Sequence, residues 1–223
     1  MEINEFIKIN EESDEGHFHH HTKERSVKLI NKILQIYDLN ELTKKEILIY
    51  GDGIGLIGGF LANIGCKVTS IEARNYNVNI AKIRSKVPYT ILKKDYKELS
   101  IKKDTFDLII CFGFVEVIDD LEILLKQWIK VKEILFENII LDSEKQIINK
   151  FIWTAGNDRP IDSYGTIPTS NYIEYKMCDL GYDVERYFDS DINYGNNKTR
   201  YDWTKMKNKV NLDKRRFWRF VRK

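Results

Sequence analysis

The feature that most constrains this chain is a junction. The apolar run Ile47-Leu48-Ile49-Tyr50 passes directly into Gly51-Asp52-Gly53-Ile54-Gly55-Leu56-Ile57-Gly58. A short, continuous apolar run reads as a strand buried on both faces, as in parallel sheets covered by helices. Glycines after it allow a tight turn, and the apolar residues that follow open a helix whose free N–H groups attract negative charge. The rest of the chain repeats this unit. An amphipathic helix over 22–39 precedes the strand Glu46–Tyr50. Then come a helix at 54–64, a strand at 66–71, a helix at 77–84, strands at 88–92 and 107–112, a helix at 119–131 and a strand at 138–141. Such alternation predicts a parallel sheet with helices on both faces.

The last third changes character. Residues 150–168 contain Gly156, Pro160, Gly165 and Pro168 and read as a long loop. Thr169 or Ser170 caps a helix reaching about Leu180, with Gly181 as its stop signal. Residues 182–188 and 216–221 are short strands separated by irregular polar sequence at 189–214, a spacing that lets them pair antiparallel at one sheet edge. Residues 1–21 read as a flexible arm. The 223 residues, 43% of them hydrophobic, then give one domain over 22–223 with insertions at about 150–168 and 189–214.

Charge narrows the partners. The net charge is +2, with acid concentrated before Glu15 and base after Lys198. Cys66, Cys111 and Cys178 are odd in number and widely spaced, so they suggest neither a disulfide framework nor a zinc knuckle. No apolar run approaches the roughly 20 residues of a membrane span, and the first residues lack the layout of a signal peptide. A reducing cytoplasm and no membrane partner are expected.

The glycine turn has a companion acid. Glu72, followed by Ala73, ends the next strand, and a carboxylate there suits the two hydroxyls of a ribose. Gly53, Gly55 and Gly58 also satisfy the G-x-G-x-x-G dinucleotide pattern. A nicotinamide reading therefore stays open at this point, as does a ligand-free turn. Three features bear on the choice. Asp95, after the third strand and beside Tyr96, can accept a hydrogen bond from an adenine amino group. The segment Phe106-Asp107-Leu108-Ile109-Ile110-Cys111-Phe112-Gly113-Phe114-Val115-Glu116 follows. The final pair of strands is not required by a nicotinamide enzyme.

On these residues the chain resembles the class I S-adenosylmethionine-dependent methyltransferases, closely over about 22–142 and by architecture beyond. The resemblance implies an α/β fold: a Rossmann-like αβα sandwich whose seven-stranded, mostly parallel sheet has its last strand antiparallel. It implies S-adenosyl-L-methionine as cofactor, with Gly51, Gly53 and Gly55 around its methionine part, Glu72 on the ribose and Asp95 on the adenine. Residues 111–114, with Cys111 and Gly113, would line the methyl-transfer crevice. Two positions depart from the family pattern. Ile49 stands where members commonly carry an acid, which makes Asp52 the candidate for the cofactor ammonium. Glu116 is followed by Val117 where many relatives have histidine, so Glu116 reads as a cofactor or helix-cap contact.

Methyl transfer to oxygen also benefits from a base. All four histidines lie in Gly16-His17-Phe18-His19-His20-His21. A neutral imidazole from His19 or His21 would suit that role, and His17 would suit acceptor binding. A solvated cluster and metal capture are the other readings, the last without matching Cys or carboxylate spacing. Asp142, after the fifth strand, reads as a catalytic acceptor contact or as a helix cap. Arg159 suits an anionic group, Tyr164 and Trp153 suit stacking on a sugar ring or aromatic, and Tyr201, in a second polar and aromatic insertion, is a further candidate for acceptor binding.

The basic, aromatic tail also invites an RNA reading. Arg216-Phe217-Trp218-Arg219-Phe220-Val221-Arg222 reads better as a buried terminal strand with arginines fringing the sheet, so a nucleic-acid partner is not expected. Cys111-Phe112-Gly113-Phe114 stands where base N-methylating enzymes carry Asp-Pro-Pro-Tyr, and it resembles small-molecule and sugar O-methyltransferases. The ending resembles methyltransferases encoded among surface-polysaccharide genes. The expected partner is a small, sugar-linked acceptor. The alternatives are an NAD-binding oxidoreductase, an RNA methyltransferase and a non-catalytic cofactor-binding partner.

Overall fold

A computed structural model describes Glu5 and residues 20–141, 143–152, 164–187 and 215–223. In chain order the elements are α1 His20–Ile36, α2 Leu39–Leu42, β1 Glu46–Tyr50, α3 Leu56–Asn63, β2 Lys67–Ile71, α4 Asn75–Arg84, β3 Thr90–Leu92 and β4 Leu108–Phe112. They continue with α5 Leu121–Trp128, β5 Glu133–Ile139, β6 Ile148–Ile152, β7 Tyr164–Pro168, α6 Ser170–Asp179, β8 Tyr182–Tyr187 and β9 Arg215–Arg222. Single 3-10 turns lie at Tyr96–Glu98 and Val115–Val117.

A seven-stranded sheet has the order β3-β2-β1-β4-β5-β9-β8, and β6 with β7 forms a separate two-stranded sheet. β1, β2 and β3 pair in parallel, whereas β9 runs antiparallel to both β5 and β8. The mostly parallel sheet with an antiparallel last strand is the one the sequence predicts. The chain divides into two compact units, Met1–Leu99 with Thr105–Leu108, and Ser100–Asp104 with Ile109–Lys223.

In the first unit, β1 is buried from Ile47 to Tyr50, as its unbroken apolar run requires. Helix α1 buries Leu29, Ile30, Ile33 and Tyr37 at helical spacing. Helix α3 is apolar nearly all round and buries Leu56, Phe60, Leu61 and Ala62. The start of β1 is pinned from both sides: Asp107 N–H donates to the Glu46 carbonyl at 2.9 Å, and Glu46 N–H donates to the Asp107 carboxylate at 3.0 Å.

In the second unit, β5 is buried along its whole length. The sequence places this strand at 138–141; the structure begins it at Glu133 and leaves Leu141 in an isolated bridge to Thr169. Glu133 and Glu137 interrupt the apolar pattern and so read as surface residues. Both are buried because each lies diagonally across from an arginine of β9, the spacing at which long side chains meet. Arg219 donates to Glu133 at 2.6 Å and Arg215 to Glu137 at 3.2 Å. The arginines of the tail therefore do not simply fringe the sheet, since Arg215 and Arg216 are also buried. The opposite face of the β5–β9 pair carries Phe136 stacked on Trp218, with Trp128 edge-on to Phe136.

A second correction concerns 150–168. Its glycines and prolines suggest a loop, but β6 and β7 pair antiparallel, with Phe151 opposite Gly165 and Pro168 opposite Ile148. Punctuating residues here sit within and at the end of a strand. The hydroxyl of Thr166, in β7, donates to the carbonyls of Val115 and Ile118 at 2.9 and 3.1 Å. Helix α5 is shorter than the periodicity suggests because Asp120 caps it, accepting from Glu122 N–H at 2.9 Å. Thr169 caps α6 as expected, accepting from Tyr172 N–H at 3.2 Å.

The Arg215 contact carries a stability prediction. Arg215 forks between Glu137 and Glu116, with Nη2 2.9 Å from Glu116. The Glu137 side chain is fully shielded from solvent. Arg215→Met removes the guanidinium from both carboxylates, and urea unfolding is expected to show a loss of about 3–5 kcal/mol. Arg215→Lys should recover only part of it, since an ammonium cannot reach two carboxylates as a fork does. A loss below about 1 kcal/mol, the range of an exposed pair, would contradict a buried ion pair here.

Candidate functional site

The glycine turn lies in the first unit. Gly51, Gly53 and Gly55 have φ of 63°, 59° and 82°, a left-handed backbone that side chains with a Cβ rarely adopt. Gly51 N–H donates to the Ile71 carbonyl at 3.0 Å, prolonging the β1–β2 pairing. Gly55 N–H donates back to the Asp52 carbonyl at 3.0 Å and closes the turn; Gly55 then opens α3.

Asp52 turns its carboxylate toward α3. One oxygen accepts from Gly58 N–H at 3.0 Å, the other from the Tyr89 hydroxyl at 2.8 Å. A Cβ at position 58 would lie 2.2 Å from Asp52 Oδ2, so the third glycine makes room for an internal carboxylate. Burial pushes the Asp52 carboxyl up to about 7; the hydrogen bonds from Gly58 and Tyr89 oppose the rise and the nearby charge of Glu72 adds to it. Burial and the Asp52 charge together push the Tyr89 phenol up.

Glu72 is buried at the end of β2. Its oxygens accept from Gly53 N–H at 3.2 Å and from Arg74 N–H at 2.9 Å. Burial raises its carboxyl above the usual range, opposed by the Arg74 N–H and charge, the Asn77 side chain and Gly53. Glu72 thus ties the glycine turn to the approach of α4. Each carboxylate oxygen has two acceptor positions, so a diol can still be received there. Ala73 beside it is half-buried. Asp95, also half-buried, caps the 3-10 turn after β3 by accepting from Lys97 N–H at 2.8 Å. The Tyr96 ring is buried, with the Lys97 ammonium 5.7 Å from its centre.

The second unit holds Cys111, Gly113, Glu116 and Tyr164. Cys111 is fully buried, and burial with the Glu137 charge pushes its thiol well above the usual range. Gly113, with φ of 62°, donates its N–H to the Glu137 carbonyl at 2.7 Å. The Glu116 carboxylate is held by Arg215 at 2.9 and 3.1 Å, and the helix cap nearby is Asp120. Tyr164 opens β7 and is exposed. His17, His19, Asp142, Trp153, Arg159 and Tyr201 lie outside the described residues. His21 falls in α1, but its side chain is outside them too.

Sequence reasoning missed Tyr89 and Arg215. Tyr89 reads as one more strand residue, and only its tertiary contact with Asp52 distinguishes it. Arg215 sits in a basic tail whose charge suggests solvent, and only the register against Glu137 gives it a partner.

The raised Asp52 carboxyl makes stability depend on pH. Its ordinary value is 3.8 and its folded value is about 7, so its contribution is fully present below about 3.8 and is lost as pH rises through 7. Asp52→Asn removes this titration while keeping the shape. In urea unfolding of the cofactor-free protein, wild-type stability relative to that variant is expected to fall from pH 4 to 8. A flat difference would mean that the carboxyl is not desolvated.

Comparison with known proteins fits this geometry. Residues 48–133 match the family described as methyltransferase domain. The chain is 33% identical over 129 residues to the ubiquinone biosynthesis O-methyltransferase of Rickettsia canadensis (strain McKiel), covering 54% of this chain and 53% of that protein. The corresponding Rickettsia felis protein is 32% identical, with 52% of it covered. The chain thus spans about half the length of the curated relatives it matches. A putative S-adenosylmethionine-dependent methyltransferase structure from Listeria monocytogenes superposes with a TM-score of 0.63 at 11% identity, covering 89% of this chain and 98% of the other. The N-terminal domain of EvdMO1, crystallised in the presence of SAH and D-fucose, gives 0.65 at 12% identity, covering 100% and 97%. At such identities the structures speak for the fold alone. Domain match and strand order agree: residues 48–133 match a methyltransferase domain, and the fold resembles that of the S-adenosylmethionine-dependent methyltransferase structures compared.

Proposed function

We propose that the chain transfers a methyl group from S-adenosyl-L-methionine to an oxygen of a small polar acceptor, such as a nucleotide-activated sugar or a phosphate-type group of a surface-polysaccharide precursor. The observation that carries the cofactor choice is the Asp52 carboxylate on the Gly58 N–H. Dinucleotide enzymes place a pyrophosphate at the corresponding helix start. Here a carboxylate already meets that backbone donor, which disfavours an anionic ligand and favours a phosphate-free, cationic one. Glu72 suits the ribose hydroxyls, Asp95 the adenine amino group, and the bare backbone of Gly51, Gly53 and Gly55 the methionine part.

When bound, the cofactor supplies a methyl already activated on a sulfonium. What remains for the chain is orientation, for which effective molarities reach about 10⁵–10⁸ M, and removal of the acceptor proton. His19, His21 and Asp142 are our candidates for that proton; His17, Arg159, Tyr164 and Tyr201 are our candidates for holding the acceptor. Oxygen as the receiving atom is supported by the naming of the curated relatives as O-methyltransferases. A sugar-linked acceptor rests on the sequence alone, where the Tyr164 ring suits stacking on a sugar. The Rickettsia relatives favour a second reading, a ring hydroxyl of a ubiquinone precursor.

Calorimetry with S-adenosylmethionine, S-adenosylhomocysteine and NAD tests the cofactor. The first two are expected to bind and NAD not; the reverse would end this proposal. Glu72→Ala, which removes the diol acceptor, should weaken S-adenosylhomocysteine binding by about tenfold or more. Labelled cofactor incubated with nucleotide sugars and with phenolic ring compounds then separates the two acceptor readings by which panel becomes methylated.

A further inference from the structure

Gly55 and Gly58 are both shaped by the same neighbour. A Cβ at position 55 would lie 2.8 Å from the Tyr89 hydroxyl, and one at position 58 would lie 2.9 Å from Tyr89 Cε2 and 2.2 Å from Asp52 Oδ2. The Tyr89 ring therefore lies against the glycine turn at two points, and its hydroxyl ends on the Asp52 carboxylate at 2.8 Å. The other carboxylate oxygen holds Gly58 N–H. Asp52 itself stands between Gly51 and Gly53, whose backbone turns under the proposed cofactor. The turn is thus anchored on one side by Glu72 through Gly53 and on the other by Asp52 through Gly58 and Tyr89.

The geometry points to Asp52 and Tyr89 as a positioning couple: Tyr89 clamps the Asp52 carboxylate, the carboxylate fixes the glycine turn on α3, and affinity for the methionine cofactor depends on the couple being complete. This rests on the cofactor reading above. An ionised carboxylate accepts from Gly58 and Tyr89 at once. A protonated one keeps the Gly58 bond on its carbonyl oxygen, but its contact with the Tyr89 hydroxyl becomes a neutral bond without charge assistance. The couple is at full strength only when Asp52 is ionised. The titratable groups facing Asp52 are Glu72 from the end of β2 and Tyr89 from the approach to β3, while α3 presents the Gly58 N–H. With the Asp52 carboxyl raised to about 7, the couple strengthens as pH rises through neutrality, although ionising a buried carboxyl lowers the stability of the cofactor-free fold.

The test is the affinity of the full chain for S-adenosylhomocysteine, by calorimetry from pH 5.5 to 8.5, with thermal unfolding of each cofactor-free variant as the check on folding. Wild type is expected to bind about tenfold more tightly at pH 8 than at pH 6, the scale of one hydrogen bond to a charged group. Asp52→Asn is expected to lose this rise. Tyr89→Phe keeps the ring but not the hydroxyl, and should bind more weakly with its midpoint moved to higher pH, since the phenol's hydrogen bond holds the carboxyl down. The histidines of 17–21 are intact in both variants, so a pH step that survives Asp52→Asn would belong to them and overturn the inference. Unchanged affinity in Tyr89→Phe would overturn it as well, and decides the matter should Asp52→Asn fail to fold. If wild type binds no S-adenosylhomocysteine at any pH, the cofactor reading falls and the couple's role falls with it.

Discussion

Two carboxylates held against backbone N–H groups govern the first unit. The glycines of the turn have no side chains with which to fix it, so its conformation is set largely by what accepts the amide protons of the turn and of the helix it opens. Glu72 takes one from Gly53, and Asp52 takes one from Gly58. Both acids are raised by burial, and the Glu72 charge adds to the rise at Asp52. The turn therefore concentrates negative charge in a desolvated place where strand, turn and helix meet. Removing a backbone partner there would leave a buried donor or acceptor unmade, which costs about 1–3 kcal/mol. That is a strong reason for the turn to keep one shape.

The second unit is organised by the two faces of β9. Side chains alternate along a strand. Arg215 and Arg219 therefore share one face, and Trp218 and Phe220 share the other. The first face meets Glu137 and Glu133 of β5, and the second stacks on Phe136. A slip of one residue would turn every side chain of β9 to the other face, separating Arg215 and Arg219 from Glu137 and Glu133 and Trp218 from Phe136, so the register is specified from both sides at once. Through Arg215 the same strand reaches Glu116, and through Thr166 the hairpin strand β7 holds Val115 and Ile118. The turn after β4 is therefore fixed by residues that come 48 to 99 positions later in the chain.

What the sequence revealed follows from this. β1, β2, α4 and β4 are legible because their signals are local: unbroken apolar runs, turn glycines and helical spacing. So were the Thr169 cap and the Gly181 stop. The early start of β5 was hidden because Glu133 and Glu137 become core residues only with arginines from the far end of the chain. The β6–β7 pair was hidden because Gly165 and Pro168 look like loop punctuation when their cross-strand partners are unknown. At the candidate site, the tight turn at Gly51, Gly53 and Gly55 and the place of Glu72 at the end of β2 follow from position along the chain. The contact of Tyr89 does not, because nothing along the chain announces that its hydroxyl ends on Asp52.

Positions 49 and 52 differ in what an acid placed there would meet. At position 49 the side chain belongs to β1, and isoleucine there is buried with the rest of the strand. At position 52 the carboxylate leaves the strand and binds α3, where Gly58 and Tyr89 consume its two best acceptor directions. Its direct partners are thus groups of the chain itself, and a cofactor ammonium would feel it as a nearby field more than as a hydrogen-bonding hand. Such a field depends on charge and distance, while a hydrogen bond depends also on direction. An acid used this way can serve two tasks together, shaping the turn through its bonds and favouring a cationic ligand through its charge, and both are weakened when it takes up a proton.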